Sequence, residues 1–424
     1  MDRNGSTRGW IWAAIAGAIT AATGCGGGGA NGTTGTTGTS GTTGTGGSSG
    51  ATTSSSGGHP GTGGAPGTGG APGTGGSGGG GTTCLDGASF AGLFTIADAE
   101  ICAVAVYTAD ESIGFQAPTW GAHGGPLWFQ EDMTGGGVTL ERWTPPAGTT
   151  GKLTRQATHV DAMIPAGAFA GAQALDLPFF GWTALSWTGK APDTKGQIIM
   201  IKGGAVDRTY AVNGAYALAA VAGDATSGRL LTTALSPVGA PATDLSGFYA
   251  ADACSTPKPD LGAGQGCGAP LEIAAWGDAS GPVATDYAGN AFVVLASFGM
   301  GTQEARGFSS ASIAKGGAAQ AGATLFTLPG FGSSLAALAP SAGHPGLLVF
   351  QPFDAMKFTP LDVIAQAYTE GAAVAAQGAP ATLLKIPAAS TAGLSFLTDG
   401  QNRLWVAGVT GAASTTFVVL ERKH

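Results

Sequence analysis

A turn followed by a strand recurs along the C-terminal part of this chain at nearly constant spacing. The copies that align best are DYAGNAFVVL, SAGHPGLLVF and TDGQNRLWVA, at residues 286–295, 341–350 and 398–407. With Asn290, Pro345 and Asn402 at the same turn position, the spacings are 55 and 57 residues. Fainter copies lie at 224–233 and 121–130. Such a period restricts the fold to repeat architectures, in which neighbouring units bury each other's apolar faces.

Short apolar runs separated by Gly, Pro, Asn and Asp fill the chain after Cys84. Runs such as Ile198–Ile201, Phe292–Leu295 and Phe417–Leu420 have strand length and turn residues beside them, which predicts a many-stranded antiparallel structure. One segment departs from this pattern. The sequence from Thr359 predicts one short helix, because proline stands in its first turn and Gly371 follows as a stop signal.

The C-terminal stretch NRLWVAGVTGAASTTFVVLERK, residues 402–423, resembles the bacterial β-propeller repeat. In that repeat, Gly-Asn-x-Tyr-Val-x-Gly-x-Thr precedes a Phe-Val strand; residues 289–299 match its first half and 213–223 match it loosely. The resemblance implies a single all-β propeller with binding at one mouth of a central channel. It implies no particular activity. A unit of about 56 residues enters the 341-residue domain (84–424) six times, so we expect six, or alternatively seven, four-stranded blades. We expect the ring to close by pairing Thr416–Glu421 with the segment near Ala99–Tyr107.

The N-terminus has the pattern of an export signal. Residues 1–8 are polar with two arginines, and Trp10–Ala22 is an apolar run too short to span a bilayer. The sequence AATG before Cys25 resembles a bacterial lipobox, although Ala22 stands where that family prefers leucine. The resemblance implies cleavage of a signal peptide (1–24) and attachment of lipid to Cys25. An ordinary signal peptidase cutting at the same bond is the alternative.

Residues 25–83 form a predicted stalk between the signal and the domain. After Cys25 this stretch contains no Lys, Arg, Asp or Glu and is built from Gly, Thr, Ser, Ala and Pro, apart from Asn31 and His59. It cannot bury enough apolar surface to offset the entropy of ordering it. A Gly-rich chain of this length spans roughly 40–45 Å as a random coil. The predicted organisation is therefore signal peptide, lipidated stalk, and one propeller-like domain over 84–424.

Cysteine usage agrees with export to an oxidising compartment. The five cysteines leave an even four if Cys25 carries lipid. Four cysteines allow three pairings, and we predict the two most local disulfides, Cys84–Cys102 and Cys254–Cys267. The second pair brackets a Pro- and Gly-rich stretch that we interpret as a stapled loop.

Charge and missing motifs restrict the function classes. After residue 83 the chain holds 16 basic and 25 acidic residues, because residues 1–25 contribute Arg3, Arg8 and Asp2. A net charge of −9 argues against nucleic acid as a partner. No HExxH, CxxC or phosphate-binding loop occurs in the sequence, GxSxG occurs only within the Gly-rich stalk, and the five histidines are scattered. We therefore predict no catalytic residue, no metal site and no cofactor.

The repeat turns contain acidic residues whose ordinary role is structural. Asp286 and Asp399 head their turns, where an aspartate carboxylate commonly accepts hydrogen bonds from its own backbone. Weak calcium binding is the functional alternative. His123 lies in a Gly-Pro turn, where a role in connecting strands is the simplest interpretation. The tryptophans indicate packing between blades, and one or two of them are candidates for stacking on a sugar at a channel mouth.

Three hypotheses of function follow. The first is a lipid-anchored, exported, non-catalytic binding or scaffolding propeller, whose partner is an extracellular or periplasmic protein or glycan. The second is an extracellular hydrolase or lyase acting on a polymer, which converging Asp, His and Arg side chains would favour. The third is a structural or adhesive envelope protein, which a broad apolar patch would favour. For the first we expect the outer membrane or cell surface rather than the inner membrane.

Overall fold

The computed structural model is built almost wholly of β-strands, with one short helix. It describes residues 83–85, 90, 92–113, 118–131, 137–161, 173–177, 181–187, 195–213, 215–220, 229–234, 245–249, 260–261, 271–273, 279–297, 301–315, 317–320, 322–354, 357, 359–411 and 413–423. The predicted signal peptide, Cys25, the stalk, Cys254 and Cys267 lie outside these residues. No helix in the described ranges has both the length and the apolar character needed to cross a membrane.

The strands up to residue 161 are β1 (Thr95–Ile96), β2 (Ile101–Ala109), β3 (Thr119–Gly121), β4 (Gly125–Glu131), β5 (Val138–Thr144), β6 (Thr150–Lys152) and β7 (Thr154–Val160). Those between residues 173 and 273 are β8 (Gln173–Leu177), β9 (Trp182–Trp187), β10 (Lys195–Lys202), β11 (Ala205–Asn213), β12 (Ala215–Ala220), β13 (Arg229–Ala234), β14 (Leu245–Tyr249), β15 (Asp260–Leu261) and β16 (Leu271–Ile273).

The next elements are β17 (Ala279–Thr285), β18 (Ala291–Ser297), β19 (Thr302–Phe308), the helix α1 (Ser310–Lys315), β20 (Gly317–Gln320), β21 (Ala323–Pro329), β22 (Phe331–Leu338) and β23 (Gly346–Asp354). The chain continues through β24 (Thr359–Pro360), β25 (Val363–Thr369), β26 (Ala375–Ala376), β27 (Ala381–Lys385), β28 (Ser395–Thr398), β29 (Leu404–Gly411) and β30 (Ser414–Arg422).

Four sheets, each built on an antiparallel meander of four strands, give the molecule a four-blade β-propeller arrangement. Numbered by the chain position of the strand named first, these sheets are blade 1 (β3-β4-β5-β7), blade 2 (β17-β18-β19-β21), blade 3 (β22-β23-β25-β27) and blade 4 (β28-β29-β30-β2). Three short strands, β1, β24 and β26, extend blade 3, and β6 pairs in parallel with β2 of blade 4. The all-β propeller expected from the repeat is confirmed.

The predicted number of six or seven four-stranded blades is wrong, because the strands between residues 173 and 273 depart from the four-stranded plan. There, β8-β9-β10-β11 is a further antiparallel meander, to which β15 adds in parallel, as β6 does in blade 4, to make a five-stranded sheet. The described strands that follow do not form a four-stranded sheet. A three-stranded sheet, β12-β13-β14, follows, and β16 pairs in parallel with β20. Dividing the length of the domain by the repeat period assumed that every unit contributes four strands, and this region does not.

Apolar side chains between neighbouring sheets form the core. Blades 2 and 3 bury Phe292 and Phe350 between them, and blades 3 and 4 bury Val349 and Val406. Blades 4 and 1 share an aromatic cluster: the rings of Trp128 and Trp143 stack at 5.0 Å, beside Trp405 and Phe417. Leu127 and Phe129 of blade 1 pack against Leu185 and Ile199 of the five-stranded sheet. The interpretation of these tryptophans as packing between blades is confirmed.

The two ends of the domain meet in blade 4. β30 pairs antiparallel with β2 in a register that places Phe417 opposite Tyr107 and Glu421 opposite Cys102. The predicted closure of the ring by Thr416–Glu421 and Ala99–Tyr107 is confirmed. The predicted Cys84–Cys102 disulfide is also present, with the Cα atoms 5.5 Å apart. Because Cys102 lies in β2, the bond fixes the start of the domain to that strand.

The short helix predicted from Thr359 is wrong. Thr359–Pro360 is strand β24, and Val363–Thr369 is β25, which lies between β23 and β27 in the middle of blade 3. Both edges of β25 are hydrogen-bonded, and Val363 and Tyr368 are fully buried. The sheet therefore overrides the local helix-start signal of Thr359 and Pro360.

Candidate functional site

The turns that join the first and second strands of blades 1 to 4 lie at one end of the propeller, called the turn face below. They comprise residues 122–124 in blade 1, 286–290 in blade 2, 339–345 in blade 3 and 399–403 in blade 4. Contacts between the turns, described next, bring parts of several blades together at this face. Polar side chains from different blades meet at this face.

The Asp286 turn of blade 2 is organised by one buried carboxylate. Oδ1 of Asp286 accepts hydrogen bonds from the backbone N–H groups of Ala288 at 3.0 Å and Asn290 at 2.8 Å. Oδ2 accepts from Nδ2 of Asn290 at 2.8 Å and from the hydroxyl of Tyr368 at 2.6 Å. Tyr368 belongs to blade 3, so this bond also joins two blades. Burial, reinforced by the charge of Asp286, raises the pKa of Tyr368, so the hydroxyl stays protonated and donates a hydrogen bond.

The Asp399 turn of blade 4 repeats this geometry. Oδ1 of Asp399 accepts from the backbone N–H groups of Gln401 and Arg403, each at 2.9 Å. Oδ2 accepts from Nε of Arg403 and from the indole N–H of Trp405, each at 2.8 Å. The interpretation of Asp286 and Asp399 as turn-forming residues is confirmed. Arg403 is the structural counterpart of Asn290, which corrects the sequence alignment that equated Asn290 with Asn402.

Asn402, the residue before Arg403, connects blades 3 and 4. Its backbone has a φ of 60°, in the left-handed region that asparagine tolerates better than most residues. The side-chain Oδ1 accepts the N–H of Ala339 at 2.8 Å, and Nδ2 donates to the Ala339 carbonyl at 2.9 Å. This pair of bonds fixes the turns of the two blades to each other at the rim of a cavity.

The cavity lies between blades 3 and 4 at the turn face and has a volume of about 180 Å³. Its apolar walls include Ile101, Leu338, Leu347, Leu383, Leu404 and Leu420. Its polar lining consists of Ser341, Gln401, Asn402, Arg403, Glu421 and Arg422. A few polar groups converging over apolar walls is the composition expected of a small-molecule site.

The two arginines of the cavity differ in their partners. Arg403 is held by Asp399 through an ion pair of 2.8 Å. The side chain of Arg422 makes no ion pair or hydrogen bond with the part of the protein that the structure describes, and it is only partly exposed. Burial lowers the pKa of Arg422, while Tyr368 and Asp98 act in the opposite direction. Arg422 is therefore a desolvated cation beside an open volume.

Aromatic side chains reach the turn face next to the cavity. A methyl group added at Gly400 would lie 3.8 Å from Nε1 of Trp120 and 3.9 Å from the hydroxyl of Tyr287, so parts of blades 1, 2 and 4 converge there. The Tyr287 side chain is well exposed, at 41%. The ring of Trp120 packs 5.0 Å from that of Trp405. The turn face thus carries one exposed aromatic ring beside the polar rim of the cavity.

A second polar cluster joins blade 1 to the five-stranded sheet. Asp176 accepts hydrogen bonds from the backbone N–H of Ala122 at 3.0 Å, the hydroxyl of Thr183 at 2.6 Å and the guanidinium of Arg142 at 3.2 Å. The Nε2–H group of His123 donates to the carbonyl of Trp143 at 3.2 Å. Burial lowers the pKa of His123, against the opposing effects of that carbonyl and of Asp176. His123 therefore serves a strand-connecting turn, as interpreted from the sequence.

The residues predicted from the sequence and those found at the turn face overlap only in part. The predicted site residues were cysteines, and of these the structure places Cys84 and Cys102 in a disulfide at β2. Arg403, Arg422 and Tyr287 were missed, because no motif distinguishes them. The available signal was positional: Arg403 follows a repeat turn, and Arg422 ends the closing strand. Among the described residues, no group of three His, Cys, Asp or Glu side chains could hold a metal ion.

Comparison with known proteins assigns no family. No family model matches the chain, and no curated protein matches its sequence. A protein of unknown function from Dyadobacter fermentans is 12% identical, with 77% of this chain and 100% of that chain covered and a TM-score of 0.42.

Two other solved structures are similar at the same level. The Dos1 propeller is 8% identical over 78% of this chain and 76% of that chain, with a TM-score of 0.36. An exo-β-1,3-galactanase from Phanerochaete chrysosporium, solved with galactose, is 10% identical over 73% and 61%, with a TM-score of 0.33. All three TM-scores are below 0.5, and the propeller assignment rests on the strand order and packing of this chain itself.

Proposed function

We propose that this protein is an exported, lipid-anchored propeller that binds an extracellular or periplasmic ligand at its turn face without catalysing a reaction. The observation that carries the proposal is the cavity between blades 3 and 4. It combines apolar walls, the polar side chains of two turns and the guanidinium of Arg422, which has no ion pair among the residues that the structure describes. A pocket with a few convergent polar groups is the default location for ligand binding.

The state of the carboxylates favours binding over catalysis. A general acid or base needs a carboxyl oxygen free to exchange a proton with the substrate. Asp399 accepts four hydrogen bonds from residues of its own blade, and Asp286 accepts four, one of them from Tyr368 of blade 3. These carboxylates are fully buried and serve to hold the turns, so the cavity offers groups that position a ligand.

A blocking variant tests the binding site. Ser341→Trp places a large ring at the exposed rim of the cavity, whereas Thr391→Trp places one on the exposed β27–β28 connection at the opposite end of the propeller. The full-length protein would be applied in detergent to an array of neutral and acidic oligosaccharides and envelope-polymer fragments. We expect the wild type and Thr391→Trp to bind and Ser341→Trp to lose binding. Equal binding by the two tryptophan variants would exclude the cavity as the binding site.

The lipid anchor is the second part of the proposal, and it rests on the sequence around Cys25. A lipidated chain would display the domain at the end of the predicted stalk of residues 25–83, at the outer membrane or cell surface. Cys25→Ser should abolish incorporation of labelled palmitate and move the protein into the soluble fraction, with Cys84 and Cys102 still paired. Continued labelling of Cys25→Ser would contradict the lipobox interpretation.

An extracellular hydrolase or lyase is the second candidate, because Asp176, Arg142 and His123 lie in one cluster. Asp176 accepts three hydrogen bonds there, which makes it a poor proton carrier. Release of reducing ends from polysaccharides by the wild type, and its loss in Asp176→Asn, would establish this candidate. The control is Asp362→Asn, which alters an exposed carboxylate on blade 3.

A further inference from the structure

Arg422 lies in an unusual electrostatic position for a cation. Its side chain is partly buried at the end of β30 and lines the cavity, yet no carboxylate in the described structure forms an ion pair with it. Desolvation of a charged group without a partner is unfavourable. A ligand that brings a negative charge into the cavity would relieve this penalty.

The other charges near Arg422 leave that role open. Arg403 is neutralised by Asp399. Glu421 is the one carboxylate among the lining residues, and it already interacts within the protein. Asp98 lies close enough to influence Arg422 electrostatically, but its Oδ1 accepts the N–H of Glu100 at 2.8 Å. A guanidinium with free N–H groups presents the fork that a carboxylate fills with two parallel hydrogen bonds.

The remaining lining suits a sugar ring. Ser341 and Gln401 offer hydroxyl and amide groups that can bond to sugar hydroxyls, and Leu404 and Leu420 offer apolar surface for the C–H face. Tyr287, exposed near Gly400, supplies an aromatic ring for the neighbouring unit of a chain. A volume of about 180 Å³ suits one ring better than an extended peptide.

From these observations we propose that the cavity binds the carboxylate-bearing ring of an acidic polysaccharide, a uronic acid unit, with Arg422 as the group that receives the carboxylate. The inference rests on the proposed binding function and specifies its ligand class. The residue that selects the acidic sugar is then Arg422, and Arg403 is a positioning residue held by its turn.

Calorimetry with the full-length protein in detergent tests the ligand class. The probes are trigalacturonate, the neutral galactose trisaccharide and inorganic phosphate. We expect trigalacturonate to bind at least tenfold more tightly than the neutral trisaccharide, and its affinity to fall with added salt. Arg422→Gln should reduce the affinity for trigalacturonate to that for the neutral sugar, and Arg422→Lys should give an intermediate value, because it keeps the charge without the fork.

Lys357→Gln is the matched control, since it removes an exposed positive charge beyond β23, at the opposite end of blade 3. It should leave all affinities unchanged. If Arg422→Gln does not fold, the salt dependence of the wild type with the charged and neutral trisaccharides still decides the question.

Three results would overturn the inference. Equal affinity for the two trisaccharides, unaffected by Arg422→Gln, would leave a binding propeller that does not select acids. Competition by phosphate as effective as by trigalacturonate would indicate a general anion site. Failure of trigalacturonate to bind, while other array ligands are still lost in Ser341→Trp, would reject the acidic sugar and keep the proposed function.

Discussion

The turns of blades 2 and 4 use one geometry for two purposes. In both, an aspartate accepts the N–H groups two and four residues later, the side chain four residues later, and an aromatic O–H or N–H. Around Asp286 the donors of Asn290 and Tyr368 are buried, and the aromatic donor comes from blade 3. Around Asp399 the aromatic donor comes from the same blade, and the side chains of Gln401 and Arg403 face the cavity.

The difference shows how a repeat separates stability from recognition. A carboxylate saturated by hydrogen bonds fixes the backbone of the turn and leaves the residue four positions later to vary. With Asn290 in that position, the side chain is fully buried. With Arg403 there, the same turn presents a cation to a cavity. The turn of blade 3, headed by Ser341 without a carboxylate, is closed by backbone bonds between Ser341 and His344.

The largest expected effect comes from removing the buried carboxylate of blade 2. Asp286→Ala leaves the two buried donors of Asn290 without this acceptor, whereas the hydroxyl of Tyr368 can still donate to the carbonyl of Leu338, at 2.9 Å. We expect the free energy of unfolding to fall by roughly 3–4 kcal/mol, since each buried unsatisfied donor costs about 1–3 kcal/mol. Urea unfolding followed by tryptophan fluorescence measures this loss. Asp286→Asn, which keeps an acceptor oxygen, is the control and should lose less.

Asp399→Ala should destabilise the domain less, by about 2 kcal/mol, because water can replace the carboxylate at the exposed side of Gln401 and Arg403. The indole N–H of Trp405 is the donor that stays buried without a partner. The same unfolding experiment applies. A loss equal to that of Asp286→Ala would show that water reaches the donors of the two turns equally poorly, and it would contradict the difference described above.

Tyr368→Phe removes the hydrogen bond between blades 2 and 3 together with a bond of the same hydroxyl to the carbonyl of Leu338. It removes the hydroxyl that donates to Asp286 and keeps the ring that packs 4.8 Å from Phe292. We expect a loss of about 1.5 kcal/mol, as for one hydrogen bond to a charged group. A double-mutant cycle with Asp286→Asn should show coupling between the two positions. Additive effects would mean that the bond does not link the blades energetically.

The smallest effect concerns the turn of blade 1 and depends on pH. Because burial lowers the pKa of His123 in the folded protein, the unfolded chain takes up the proton first. Above about pH 6.5, His123 is neutral and does not lower the free energy of unfolding. Below that pH the unfolded chain binds a proton more readily than the folded protein, so the free energy of unfolding falls. His123→Gln should therefore flatten the decline in stability between pH 6.5 and 5. Urea unfolding of the wild type and of His123→Gln at several pH values between 5 and 7 measures the difference, and an unchanged decline in His123→Gln would contradict the prediction.

The sequence predicted the architecture where its signals were periodic and local. The spacing of the repeats and the Phe417–Leu420 run predicted a β-propeller that closes with its last strand, and both features are present. The disulfide between Cys84 and Cys102 followed from counting cysteines and choosing the nearest partner. The turn roles of Asp286 and Asp399 followed from the chemistry of aspartate beside its own backbone.

Tertiary structure decided the rest, because it depends on which segments meet. Val363–Thr369 is a strand only because β23 and β27 flank it, and no property of Thr359 or Pro360 shows this. The number of strands per sheet depends on pairings such as β11 with β15, between residues far apart in the chain. The cavity lies where Asn402 of blade 4 bonds to the turn of blade 3, and Arg422 lines it because β30 ends beside that turn. Local sequence fixes hydrogen bonds within a turn, whereas the surroundings of an arginine depend on contacts between distant segments.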